Sequence, residues 1–71
     1  LQVLMRRYNR TLFRTARSIL HEDRDAEDAV QDAFYLAYRA MGTFRGEARL
    51  STGLVRIVAN EAKRRLRRRN R

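Results

Sequence analysis

The sequence predicts an all-α domain of three helices, with one glycine-containing loop between the second and the third. Three observations carry this. Apolar residues recur at i, i+3, i+4 and i+7 along three separate stretches, the period of amphipathic helices. Proline is absent, and the three glycines, Gly42, Gly46 and Gly53, fall within twelve positions, which suits a single elaborate turn. The third is the charge, which changes sign with the segments. Residues 1–20 hold five arginines and no acid, residues 21–44 six acids and two arginines, and residues 45–71 nine arginines, one lysine and two acids. A basic, acidic, basic layout under a net charge of +9 points to two partners of opposite charge.

The first helix is expected over Leu1–Leu20. Leu1, Leu4, Met5, Tyr8, Leu12, Ala16, Ile19 and Leu20 share one face, and Arg6, Arg7, Arg10, Arg14 and Arg17 lie around the rest. Those arginines read first as a solvated face paired with the acidic middle segment, and second as direct nucleic-acid contacts. The chain starts in an apolar turn without an initiator methionine, so residues before Leu1 are expected. His21 reads as a helix C-terminal residue near unpaired carbonyls.

The second helix is expected over Asp25–Met41, with Asp25 as N-cap and acids in the first turn at the positive end of the helix dipole. Ala26, Ala29, Val30, Ala33, Phe34, Leu36, Ala37, Ala40 and Met41 form its apolar side. Glu27, Asp28, Gln31, Asp32, Tyr35, Tyr38 and Arg39 form the other. Two tyrosines among carboxylates suit a docking face, because interfaces are enriched in tyrosine. Equally, both rings could fold over the core edge with their hydroxyls in water.

Gly42 fits a helix-ending glycine, and residues 43–50 read as a loop. Phe44 in that loop either plugs the core or stacks on an unpaired base. Ser51 or Thr52 is expected to cap the third helix, running from Gly53 to about Arg68. Leu54, Val55, Ile57, Val58, Ala62 and Leu66 form its apolar stripe, and Arg56, Asn60, Lys63, Arg64 and Arg67 the opposite one. Cations grip phosphates, and an amide can pair with a base edge, so this face reads as nucleic-acid binding. The arginine-rich tail reads either as a polyanion-binding segment or as a solvated terminus.

Some function classes are remote. There is no cysteine and one histidine, so neither a disulfide nor a thiolate or histidine metal site is expected, and no cofactor is. No Ser/His/Asp set or phosphate loop suggests an enzyme. No apolar run approaches the roughly 20 residues of a membrane span, and no signal-peptide pattern appears.

Three blocks of this chain, DAEDAVQDAF, YRAMGTFRGEARLST and RIVANEAKRRLRRR, occur in this order and at these spacings. In them the chain resembles domain 2, sigma-70 region 2, of bacterial sigma factors of the extracytoplasmic-function group, over essentially all of residues 1–71. The resemblance implies a cytoplasmic three-helix transcription-initiation module. It would bind the beta-prime clamp coiled coil of core RNA polymerase, and recognise and melt the minus-ten promoter element through its non-template strand. Matched residue by residue, Asp28, Gln31, Asp32, Tyr35 and Tyr38 fall on the polymerase face. Phe44 and Asn60 fall on the pocket for a flipped base, and Arg56, Lys63 and Arg64 on the DNA-backbone side. Arg67 joins the DNA face through its place on the basic stripe. Control by an anti-sigma factor is a family-level expectation, and the second sigma domain lies outside this chain. Where the family reads Ser-Thr-Trp-Leu-Tyr-Arg-Ile, this chain has Ser51-Thr52-Gly53-Leu54-Val55-Arg56-Ile57. The alternative reading is a small basic three-helix DNA- or RNA-binding module with no polymerase partner. It explains the third helix and leaves the acidic-aromatic face without a role.

Overall fold

A computed structural model describes residues 2–40, 42 and 46–70. Three helices follow in order, α1 (Gln2–Leu20), α2 (Asp23–Arg39) and α3 (Glu47–Arg69), and each packs against both others. The expected placements of Leu1, Leu4, Met41 and Phe44 lie outside the described residues and side chains.

Each helix delivers the stripe its period implies. The core joins Leu12, Ala16 and Leu20 of α1 to Ala26, Ala29, Val30, Ala33, Phe34 and Ala37 of α2, and to Leu54, Val58 and Ala62 of α3. The α2 contribution is mostly alanine, a low seam that lets neighbouring helices approach closely. Phe34 is the one large ring in it. Tyr8, Phe13, Ile19, Leu50, Ile57 and Leu66 close the margins. The buried stripes are narrower than expected: Leu36 and Val55, both at stripe edges, are 38% and 37% exposed, and Met5 is exposed as well.

The helix ends differ from expectation in instructive ways. α2 starts two residues early, with Glu22 rather than Asp25 at the N-cap and no side-chain cap bond. Asp25 instead gives its carboxylate to Arg69 at 2.9 Å, a charge-assisted bond that outcompetes a local cap. α2 stops at Ala40, so Gly42 is not its cap. The glycine that takes a positive φ is Gly46 (φ 84°), which starts α3 at Glu47. Ser51 and Thr52 are therefore inside α3, and both hydroxyls donate back to the Ala48 carbonyl, at 3.1 and 3.0 Å. Starting the helix early places Leu50 one turn before Leu54, so another apolar side chain packs on the core.

α1 ends as expected at His21, whose N–H donates to the Arg17 carbonyl at 2.8 Å. His21 holds φ 60°, the left-handed conformation that glycine adopts without a Cβ penalty. His21→Gly should therefore stabilise the fold by ~0.5–1 kcal/mol, read as a higher urea midpoint at unchanged slope. A lower midpoint would show that the imidazole holds the turn.

Ion pairs tie the helices together at one end. Arg17 meets Asp23 at 2.8 Å. Arg69 reaches Asp25 with one nitrogen and the Leu20 carbonyl with another, both at 2.9 Å, with Glu22 at 3.9 Å. Arg65 pairs with Asp32. The acidic segment is thus neutralised from α3 more than from α1.

Candidate protein and nucleic-acid interfaces

The inward arginines of α3 follow from its period. Arg65 and Arg69 are one turn apart and sit on the edge of the buried stripe, so both meet α2. Arg64 and Arg67 fall on the outer side, and Arg68 borders the same shallow opening as Asp25, Arg65 and Arg69; all three are exposed. The arginine tail is therefore two sets, one tying the helices together and one facing water.

On α2, Asp28, Gln31, Asp32, Tyr35 and Tyr38 are all exposed. They form one ridge, about 15 Å from end to end at 1.5 Å per residue. The tyrosines are 61% and 59% exposed, so they stand out from the core edge rather than folding over it. The Arg39 guanidinium sits 5.9 Å from the Tyr35 ring centroid, at cation–π distance. Acid lies at the N-terminal half of the ridge and aromatic surface at the other. Asp32 differs from Asp28: its pairing with Arg65 turns it partly toward α3, whereas Asp28 makes no ion pair among the described residues.

On α3, Arg56, Asn60 and Lys63 meet at an open groove of about 510 Å³, with Ser51, Thr52, Val55 and Ala59 as the other walls. Cations thus flank an amide above a small apolar floor. Asn60 makes no hydrogen bond among the described residues, so its donor and acceptor are both available. Arg64 and Arg67 lie further along the exposed side, outside the groove. Arg64 is 3.2 Å from the buried Glu61. Phe44 lies outside the described residues. Ser51, Thr52, Val55 and Ala59 are the groove residues that sequence reasoning missed. The signal was available for Val55: it stands one turn before Ala59 and five residues before Asn60, at the margin of the apolar stripe.

Among the described residues, no cluster of histidine and carboxylate side chains could hold a metal, and no helix is long and apolar enough to cross a membrane.

The family model for Sigma-70 region 2 matches residues 4–71. The ECF RNA polymerase sigma factor SigM of Mycobacterium tuberculosis is 48% identical over 65 residues, which are 92% of this chain and 33% of that protein. The RNA polymerase sigma-H factor of Pseudomonas aeruginosa is 38% identical over 61 residues, 86% of this chain and 32% of that protein. The ECF RNA polymerase sigma-E factor of Escherichia coli is 51% identical over 39 residues, 55% of this chain and 20% of that protein. The chain thus spans about a third or less of the length of these relatives. No solved structure matches it. The match across nearly all of its length places the chain in the sigma-70 region 2 family, among the extracytoplasmic-function sigma factors.

Proposed function

We propose that this chain is the promoter-opening module of a transcription-initiation sigma factor. In this reading α2 docks on the beta-prime clamp coiled coil of core RNA polymerase, and α3 captures the non-template strand of the minus-ten element. The observation that carries the reading is the separation of chemistries: an exposed acidic-aromatic ridge on one helix and a basic groove with an unengaged amide on another.

Physical chemistry assigns the roles. Asp28 and Asp32 attract a basic partner and set its register, while Tyr35 and Tyr38 supply rigid contact area. On α3, Arg56 and Lys63 hold phosphates on either side of the groove. That leaves a base unstacked over Val55 and Ala59, within reach of the Asn60 amide. Phe44 adds a stacking surface for the same strand. Arg64 and Arg67 extend the phosphate track. Melting follows from preference: a site that accepts a base only when it is unpaired stabilises the open strand over the duplex.

The expected result is weak, salt-sensitive binding of non-template minus-ten oligonucleotides, seen in a fluorescence titration across salt as a steep negative slope of log K against log salt. The single strand should bind more tightly than the matching duplex. Equal or tighter duplex binding would rule out strand capture.

A further inference from the structure

Glu61 is the one buried charged side chain among the described residues, at 6% exposure. It stands on the core side of α3, three residues after Val58 and four before Arg65, where the helical period calls for an apolar side chain. A carboxylate costs free energy in such a place unless a cation or a donor meets it. Two arginines are within reach along the helix, Arg64 at i+3 and Arg65 at i+4. Arg65 is the more enclosed, 26% exposed, and its Nε is buried without a hydrogen bond among the described residues. Glu61 nevertheless pairs with Arg64, at 3.2 Å, whose side chain is 61% exposed. The buried acid thus engages an outward cation.

That cation lies on the strand-binding side, one turn beyond Asn60. Of Arg56, Lys63, Arg64 and Arg67, only Arg64 has a carboxylate partner among the described residues. A guanidinium carries several N–H donors in a fixed fork, so contact with Glu61 through one terminal nitrogen leaves others for a phosphate. An arginine that is free in solution loses rotamer freedom when it binds, and one already held loses less. Stability accounts for the pair poorly, because an ion pair whose cation is mostly in water adds little to the fold. We propose that Glu61 is a positioning residue for strand binding: it holds the Arg64 guanidinium one turn from Asn60, so that phosphate and base are engaged in one register. This rests on the reading of α3 as the strand-capturing helix, with Arg64 on its phosphate track.

The test is a double-mutant cycle on binding of labelled single-stranded minus-ten oligonucleotides across salt, with circular dichroism as folding control. Glu61→Gln keeps the shape and removes the charge that holds Arg64. It should weaken strand binding roughly two- to tenfold, the immobilisation of one long side chain expressed as affinity. Arg64→Ala should lower the magnitude of the log–log salt slope by about 0.7, the value for one phosphate contact on a single strand. In the Arg64→Ala background, Glu61→Gln should have no further effect on binding. Unchanged or tighter binding by Glu61→Gln alone would overturn the proposal, and so would an equal loss with and without Arg64, which would make Glu61 a residue of the core only. Lys63→Ala separates this from the wider reading. If it flattens the slope while Arg64→Ala does not, Arg64 is off the track and the proposal falls while the groove stands. If neither changes the slope, both fall.

Discussion

Asp32→Arg is expected to weaken binding to core RNA polymerase by about 2 kcal/mol, roughly thirtyfold in Kd, and also to lower the melting temperature of the domain. Two separate contacts are lost. On the outer ridge a carboxylate facing a basic partner becomes a like charge. Inside the domain the carboxylate is the partner of Arg65, which is only 26% exposed and has a buried Nε with no hydrogen bond among the described residues. Placing a second guanidinium there leaves both unpaired. For a half-exposed pair the cost lies between that of a surface and a buried ion pair, about 1–2 kcal/mol. In a domain of this size each kcal/mol moves the melting temperature by roughly 4–8 °C. The exchange Asp32→Arg with Arg65→Asp separates the two contacts. It restores the pair with its polarity reversed, so stability should return while competition for core polymerase stays impaired. If binding returns along with stability, Asp32 is a structural residue and the ridge is defined by Asp28, Gln31 and the tyrosines.

Asn60→Ala is expected to cost about 1–3 kcal/mol for oligonucleotides carrying the preferred base and less for the other three. The amide is exposed and makes no hydrogen bond among the described residues, so its removal should leave the melting temperature unchanged. Lys63, one turn on along the same groove, grips a phosphate in this account. Lys63→Ala should weaken all four oligonucleotides by the same factor and flatten the salt dependence. Titrating four strands that differ only at the base under test distinguishes a reader from a scaffold. A uniform loss for Asn60→Ala, together with a lowered melting temperature, would assign the amide to the scaffold.

The three helices and the alanine seam were legible because helical period is local: Ala26, Ala29, Ala33 and Ala37 announce a buried face without knowledge of what covers it. The two outer faces were legible for the same reason, being what remains when the apolar stripe is removed. The start of α3 was not. Ser51 and Thr52 look like caps to local reasoning, and only the packing of Leu50 on a core built by distant residues makes the earlier start at Glu47 favourable. Asp25 misled in the same way, because its partner Arg69 lies 44 residues along the chain. The division of the arginine tail into Arg65 and Arg69, which pair with acids of α2, and Arg64, Arg67 and Arg68, which do not, also depends on where α2 sits. Composition alone shows only a dense positive charge. Val55 was placed in the core because it is apolar; its position at the stripe margin makes it a groove wall instead.

The central claim is that polymerase and DNA use different helices of one small domain. It is tested most directly by adding an isolated beta-prime clamp coiled coil to the chain already holding a labelled non-template minus-ten strand, and following anisotropy. With separate faces, the strand should stay bound while the clamp adds mass, raising the anisotropy to a higher plateau, and Asp32→Arg should raise the clamp concentration needed for that rise roughly thirtyfold without releasing the strand. Release of the strand in step with clamp binding would contradict the account, since it would mean that both partners compete for one surface.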